Sequence, residues 1–195
     1  MSYSDHKRRV ANKAREQSTD ARDIGKIPRP KNWQRRKACE RDLRKYLLTY
    51  YAPSFPLPFS EDHESVLKSI EAKTLDGGLE AIAMSRGSGK TTILIRAGIW
   101  ALSYGHRRFL ALIEADGTAA EESLDVVKVE FETNPLLLED FPEIAIPIRE
   151  LEGIVQRANA QTSLGDRTMM TWAKRELVFP TIVGSKASGA TFRCS

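Results

Sequence analysis

The sequence has little of what marks a secreted, membrane or zinc-binding protein. Its two cysteines, Cys39 and Cys194, lie far apart and show no C-x-x-C spacing, so neither a disulfide framework nor a zinc site is predicted. Its apolar runs are far shorter than the roughly 20 residues that span a bilayer, and its charged N-terminus differs from a signal peptide. We therefore expect an intracellular globular protein with reduced thiols and no membrane segment.

Acidic residues are scarce at the N-terminus. Residues 1–46 contain 15 Lys and Arg against 6 Asp and Glu, whereas residues 47–195 contain 15 against 20, so the formal net charge of +4 hides a basic head. A head of this kind favours contact with a polyanion such as DNA. The alternative is a solvated, partly disordered arm. The pattern over 35–46 predicts that the arm ends in a short helix.

The segment after the basic head contains a proline-rich stretch and then a helical pattern. Residues 50–59 contain three prolines among other residues and predict a linker or an ordered extended segment. Ser60 is a favourable N-cap, acidic residues follow it, and an apolar stripe predicts a helix over 61–74. The sequence Asp76-Gly77-Gly78 is expected to end that helix.

Two apolar runs flank a predicted buried helix. The run over 79–84 predicts a buried strand, and the nearly all-apolar stretch 91–105 predicts a helix packed against a sheet. The run over 107–115 is typical of a strand that is buried on both faces of a parallel sheet. The order strand, helix, strand predicts a βαβ unit.

The C-terminal part is predicted to contain two more helices and then strands. Thr118-x-x-Glu121 matches a capping box, and the residues that follow place an apolar stripe on one helical face. That stripe consists of Ala120, Leu124, Val127 and Phe131. A third helix is expected at about 148–160, and two or three strands are expected within 168–194.

The stretch SRGSGKTT ends as a phosphate-binding loop does but begins differently. The pattern G-x-x-x-x-G-K-[ST] requires a glycine where this chain has Met84. Gly87 and Gly89 still permit a tight turn whose N–H groups, with the helix N-terminus, form a cradle for an anion. Lys90 can then reach the β- and γ-phosphates, and the Thr91 hydroxyl can ligate Mg²⁺. The alternative is a glycine-rich turn that happens to contain Lys and Thr.

Three charged residues are candidates for the chemistry of hydrolysis. Arg86 can stabilise charge that develops on the γ-phosphoryl group, or it can pair with a carboxylate or bind phosphate passively. Glu114 and Asp116 follow an apolar run and are either a Walker B pair or acidic caps at a strand end. The second interpretation is favoured, because their strand follows the loop helix immediately. In that case the chain contains no Walker B motif.

The loop and its surroundings resemble the large terminase subunit of tailed bacteriophages, the motor that packages DNA into proheads. That family typically has an arginine just before the first loop glycine and often lacks the early glycine, as in SRGSGKTT. The flanking sequences are also similar to it in order and spacing. They are PFSEDHESVLKSI, AGIWALSYGHRRFLALIEADGTAAEESLDVVKVEFETNPLLLEDFPE and TWAKRELVFPTIVGSKASGATFRC. The resemblance covers about residues 50–195.

The resemblance implies an α/β fold of the P-loop NTPase class, with a mostly parallel sheet flanked by helices. Residues 50–195 would form a partial ATPase domain behind a basic arm and short helix in 1–49. The Walker B strand, coupling motif and nuclease domain of such subunits would follow Ser195, where ATFRCS looks like the middle of a strand. Whether the chain is the front of a longer motor or a truncated remnant stays open.

The resemblance also implies roles for individual residues. Lys90 would bind phosphate, Thr91 would hold Mg²⁺, and Arg86 would be the catalytic arginine, so Arg86 and Lys90 are the predicted catalytic pair. The family often contacts adenine through a glutamine where this chain has His63, which is otherwise an exposed first-turn histidine. The predicted nucleotide-binding residues are His63, Arg86, Gly87, Ser88, Gly89, Lys90, Thr91 and Thr92.

The implied cofactors are ATP and Mg²⁺. The implied partners are double-stranded DNA, the portal protein, the small terminase subunit and further copies in a ring, at the prohead in the host cytoplasm. Three alternatives stay open. They are another nucleic-acid-dependent P-loop ATPase (a helicase or transposition motor), a small-molecule kinase using Glu114 or Asp116 for its metal, and a non-catalytic protein that binds DNA or a partner.

Overall fold

The structure is a computed structural model that describes residues 23–195. Predictions for the first 22 residues of the basic arm lie outside the described residues. The helices are α1 (Trp33–Ala38), α2 (Leu43–Tyr50), α3 (Glu61–Asp76), α4 (Lys90–Ser103), α5 (Gly117–Thr133), α6 (Pro135–Asp140) and α7 (Pro142–Arg149), with 3₁₀ helices at Ala52–Ser54 and Val155–Ala160. None of the helices in this part of the chain is long and apolar enough to cross a membrane.

The strands are short and form one small mixed sheet and a separate hairpin. They are β1 (Phe109–Leu112), β2 (Thr162–Ser163), β3 (Asp166–Arg167), β4 (Thr171–Trp172), β5 (Glu176–Val178) and β6 (Thr191–Cys194). The sheet order is β1-β6-β5-β4, and β2 pairs with β3. Strand β1 is parallel to β6, whereas β6–β5 and β5–β4 are antiparallel.

The α/β class is therefore confirmed, but the expectation of a mostly parallel sheet is wrong for the described residues. The connection between β4 and β5 explains part of the difference. It consists of residues 173–175, and so short a connection can only join antiparallel neighbours, since a parallel pair needs a crossover of about a dozen residues or more. The C-terminal strand was predicted correctly, because ATFRCS contains β6.

The predicted buried strand at 79–84 is not formed. Leu79 is 96% exposed, and only Ile82 of this segment packs against the core. No strand within residues 23–195 pairs with it. An apolar run becomes a strand only where a neighbouring strand satisfies its backbone groups. The predicted βαβ unit therefore lacks its first strand in the described chain. Strand β1 is also shorter and more exposed than predicted.

Helices α3 and α4 are close to their predicted positions. Ser60 is the N-cap of α3, and Gly77, with a φ of 93°, ends it. Helix α4 ends two residues before Gly105, whose φ is 71°. A Cβ atom on Gly105 would lie 2.6 Å from the Lys186 carbonyl oxygen, so both the backbone conformation and the close approach require glycine. Ten of the fourteen residues of α4 are buried, as its apolar composition predicts.

Helix α5 has the predicted buried face but a different cap. Its four stripe residues Ala120, Leu124, Val127 and Phe131 are fully buried. The capping box prediction at Thr118 is wrong, because Asp116 is the N-cap and its Oδ1 accepts a hydrogen bond from the Ala119 N–H at 2.9 Å. Glu121 instead forms ion pairs with two basic residues of the β4–β5 turn, Lys174 and Arg175.

Two other helix predictions are wrong in their bounds. The helical pattern over 35–46 divides into α1 and α2, because Asp42 caps a new helix and accepts a hydrogen bond from the Lys45 N–H. The helix expected over 148–160 is replaced by the end of α7, a turn and a 3₁₀ helix. Positive φ angles at Glu152 and Gly153 interrupt it.

One hydrophobic core joins the N-terminal helices to the loop helix. Leu43, Tyr46 and Leu47 of α2 are fully buried, and the Trp100 Nε1–H of α4 donates to the Cys39 carbonyl oxygen at 3.0 Å. An ion-pair cluster ties α1 to α6 beside this core. Its centre is the buried carboxylate of Asp140, which accepts hydrogen bonds from Arg35 and Tyr50.

Acidification is expected to destabilise the fold through His106. Its ring lies half-buried between Trp100 and Tyr104, and its Nε2–H donates to the Glu40 carbonyl oxygen at 2.6 Å. Burial outweighs the favourable contact with Glu40 and lowers the pKa of His106 from its usual 6.5. The unfolded state therefore binds more protons below pH 6.5, so the free energy of unfolding falls as the pH drops through the folded-state pKa.

Urea denaturation at a series of pH values measures this effect. One extra proton on unfolding corresponds to a slope of at most about 1.4 kcal/mol per pH unit. The control is His106→Gln, in which the slope in this pH range should largely disappear. An unchanged slope in that variant would assign the acid sensitivity to other groups.

Candidate nucleotide-binding site

The phosphate loop, defined here as residues 85–89, leads directly into α4. Gly87 and Gly89 have φ angles of 83° and 79°, in the left-handed region that glycine adopts without strain. Gly89 is the N-cap of α4, and no side chain caps this helix. The first N–H groups of a helix need an acceptor. The first N–H groups of α4 therefore have no side-chain acceptor, and an anion bound in the loop would supply one.

Lys90 is the first residue of α4, and its side chain folds back over the loop. The Nζ atom donates to the Met84 carbonyl oxygen at 2.6 Å and to the Ser85 carbonyl oxygen at 2.9 Å. An ammonium group has three donors, so two are used and one is left for another acceptor. These two bonds tie the start of the loop to α4. They also place the charge of Lys90 next to the N-terminus of that helix.

Arg86 lies at the tip of the phosphate loop and is exposed. Among residues 23–195, no carboxylate lies within ion-pairing distance of its guanidinium group. Of the alternatives for Arg86, a pairing with a neighbouring carboxylate is therefore not supported by the described part of the chain. The guanidinium group is free to contact a ligand in the loop.

The two acidic candidates lie in different environments. Asp116 is a helix cap, as described above. Glu114 lines a cleft of about 420 Å³ between α4 and α5, together with Thr91 and Thr92. The Glu114 carboxylate accepts a hydrogen bond from the Ser123 hydroxyl at 2.5 Å. The structure therefore brings Glu114, and not Asp116, to the cleft that contains the predicted Mg²⁺ ligand Thr91.

The donors in this cleft fit a magnesium ion that is bound together with phosphate. Residues 23–195 contain no group of three or more His, Cys, Asp or Glu side chains that could hold a metal by themselves. Mg²⁺ in phosphate sites usually takes only one or two protein ligands, with water and phosphate oxygens completing its shell. Thr91 and Glu114 supply one hydroxyl and one carboxylate of this kind.

An apolar pocket lies on the other side of the loop. It measures about 320 Å³, and its lining includes Phe55, Phe59, His63, Gly87 and Thr92. The two phenylalanine rings pack with their centroids 5.3 Å apart. The sequence pattern does not predict this pocket, because the prolines of residues 50–59 indicate a linker or an ordered extended segment. Two phenylalanines among the prolines of that stretch were the available signal.

His63 lies on the wall of the apolar pocket, in the first turn of α3. It is half-buried, which differs from the exposed first-turn histidine considered from the sequence. Its Nδ1 lies 2.6 Å from the Ser60 Oγ, and its Nε2 lies 2.9 Å from the Ser88 carbonyl oxygen. Both ring nitrogens thus have partners in the protein, Ser60 at the start of α3 and Ser88 in the loop.

No family model matches the chain, and no curated protein or solved structure is significantly similar to it.

Proposed function

We propose that the chain binds a nucleoside triphosphate in its phosphate loop. The observation that carries this proposal is the pair of left-handed glycines, Gly87 and Gly89, which opens an uncapped fourteen-residue helix beginning with Lys90. Such a loop presents backbone N–H groups and a positive helix end to phosphate oxygens. The dimensions of the apolar pocket are consistent with a base, because ligand pockets start at about 300 Å³.

We propose further that the nucleotide is ATP and that the chain is the motor portion of a phage terminase large subunit. The support is the loop sequence with Arg86 before its first glycine, together with the order and spacing of its flanking segments. In this proposal the basic head contacts double-stranded DNA, and the portal, the small terminase subunit and further copies of the chain are partners. The protein then works at the prohead in the host cytoplasm.

Each loop and cleft residue has a distinct task in the proposed reaction. The backbone of Gly87, Ser88 and Gly89 surrounds the β-phosphate, and Lys90 turns its free N–H towards the β- and γ-phosphates. Thr91 and Glu114 would hold Mg²⁺, and the ion would supply positive charge that neutralises the phosphate oxygens. Arg86 donates to the γ-phosphoryl oxygens as charge develops on them, and Phe55 and Phe59 exclude water from the base.

A second function is a non-catalytic protein that binds DNA or a partner. The unformed strand at 79–84 favours it, because the loop then lacks the strand that precedes it in the motif context. Titration with fluorescent ATP, with and without double-stranded DNA, tests the two functions. Saturable ATP binding supports the first. Binding of DNA without any binding of ATP supports the second.

Arg86→Ala is expected to leave ATP affinity nearly unchanged and to slow hydrolysis. A donor that acts only on charge developing in the transition state typically contributes a factor of about 10²–10³ to the rate. Phosphate release in the presence of DNA measures the rate, and the same ATP titration measures binding. Arg107→Ala, at an exposed arginine outside the loop, is the matched control. Unimpaired turnover in Arg86→Ala would assign this residue a passive role.

A further inference from the structure

Two side chains from two helices hold the phosphate loop through hydrogen bonds. Lys90 contacts it from α4, through the carbonyl oxygens of Met84 and Ser85. His63 contacts it from α3, through the carbonyl oxygen of Ser88. Two backbone hydrogen bonds also involve the loop: the Ser88 N–H donates to the Ser85 carbonyl oxygen, and the Ile93 N–H of α4 donates to the Gly89 carbonyl oxygen. Hydrogen bonds from Lys90 therefore hold the start of the loop, and a hydrogen bond from His63 holds it at Ser88.

The partners of His63 define which ring nitrogen carries the proton. The Ser88 carbonyl oxygen can only accept, so the His63 Nε2 must carry a hydrogen. The Ser60 backbone N–H can only donate, and it points to Nδ1 at 3.3 Å, so Nδ1 must be unprotonated. One neutral tautomer satisfies both bonds. His63 thus completes the capping box of α3 with one nitrogen and reaches the loop with the other.

Nucleotide binding is expected to change the hydrogen bonds from Lys90 but not the hydrogen bond from His63. For Lys90 to contact phosphate with more than its one remaining N–H, it must release Met84 or Ser85. The bond from His63 is made to the Ser88 carbonyl oxygen, whereas in the proposed function phosphate is bound by the backbone N–H groups of the loop. It can therefore persist while Lys90 changes partners. The His63 ring also packs near Phe59, at a centroid distance of 5.9 Å, in the wall of the apolar pocket.

We propose that His63 is a positioning residue: it anchors the phosphate loop to α3 and links the loop to the apolar pocket. The inference rests on the proposed nucleotide binding for its functional meaning, whereas the anchoring itself is a property of the free protein. In this arrangement the ring does not read the edge of a base, because both nitrogens are occupied. A base in the pocket would instead pack against the carbon atoms of the His63 ring, while the Nε2 of that ring stays bonded to the loop.

Two substitutions at this position separate the anchor from the helix cap. His63→Asn keeps an acceptor near the position of Nδ1, so the cap of α3 is retained, but its side chain is too short to reach Ser88. His63→Gln keeps an acceptor for the Ser60 N–H and has an amide N–H that can extend to the Ser88 carbonyl oxygen. Glu61→Ala is the matched control, since it removes an exposed acidic side chain from the first turn of α3 and leaves the bonds of His63 to Ser60 and Ser88 in place.

The first measurement is made on the protein without nucleotide. NMR order parameters of Gly87, Ser88 and Gly89 are expected to fall from a rigid value of about 0.85 to below about 0.6 in His63→Asn. They should recover in His63→Gln and stay high in Glu61→Ala. Unchanged values in His63→Asn, or an equal loss in Glu61→Ala, would overturn the anchor, since the order of the loop would then not depend on the bond from His63 to Ser88.

The second measurement is the affinity for ATP. One lost hydrogen bond corresponds to about a fivefold to tenfold higher Kd in His63→Asn, with recovery in His63→Gln. An unchanged Kd in His63→Asn would refute the proposal that His63 positions the loop for nucleotide binding. If the unmodified protein does not bind ATP, the proposed function fails, while the order parameters still decide whether His63 anchors the loop.

Discussion

Replacement of Lys90 by alanine is expected to weaken ATP binding by about 100-fold or more while the fold stays intact. Loss of one member of a hydrogen-bonded charge pair costs about 3 kcal/mol or more in a protected site, and the Lys90 ammonium group is bonded to the Met84 and Ser85 carbonyl oxygens at the start of the loop. The fold is expected to stay intact because the Lys90 ammonium group is bonded to loop carbonyl oxygens and is not part of the hydrophobic core. Calorimetric titration with ATP measures the loss, and circular dichroism checks the fold.

The matched control is Lys68→Ala. Lys68 is an exposed lysine on α3, so its removal changes the net charge by the same amount without touching the loop. ATP affinity should stay within about twofold of the unmodified protein, because charges on a solvated surface are strongly screened. Equal Kd values for Lys90→Ala and the unmodified protein would refute the assignment of a phosphate loop.

Asp140→Ala is expected to lower the free energy of unfolding by about 2–3 kcal/mol, because the buried Tyr50 hydroxyl loses its acceptor and Arg35 keeps only its pairing with Glu139. Asp140 is 0% exposed. Its Oδ2 accepts hydrogen bonds from the Arg35 Nε and the Tyr50 hydroxyl, each at 2.6 Å, and its Oδ1 accepts one from the Arg35 Nη2 at 2.9 Å. These bonds raise the pKa of Arg35 above its usual range.

Urea denaturation followed by fluorescence measures this loss as a shift of the midpoint. Glu139→Ala is the control at the neighbouring position, since Glu139 pairs with Lys31 and Arg35 at the surface. A surface pair of this kind contributes little to stability because water and salt screen it. Similar midpoints for both variants would show that the buried carboxylate does not hold α1 to α6.

The loop and three helices were predictable because their signals are local. The glycines and Lys90 lie within four residues of one another, so their spacing alone defines an anion cradle. Helices α3, α4 and α5 were predicted from caps and apolar stripes that repeat with the helical period. Even there, the N-cap of α5 was assigned to the wrong residue, because Asp116 and Thr118 are both favourable caps and only the backbone path selects between them.

The missed features depend on partners that are distant in sequence. The apolar run at 79–84 has strand composition, but a strand needs a neighbour to satisfy its backbone, and no described strand lies beside it. The pocket formed by Phe55 and Phe59 depends on where residues 50–59 pack relative to the loop. No local pattern contains that information.

The sequence by itself determined the glycine turn at 85–89, the helix that follows it, the buried stripe of α5 and the uneven distribution of charge. Each of these depends on residues within a few positions of one another, where backbone geometry and side-chain chemistry are set locally. Only the tertiary structure decided that the sheet is mixed, that Glu114 and not Asp116 faces the cleft, and that His63 bonds to Ser88. Those outcomes depend on which distant segments share hydrogen bonds and apolar surface, and the packing of the whole chain selects them.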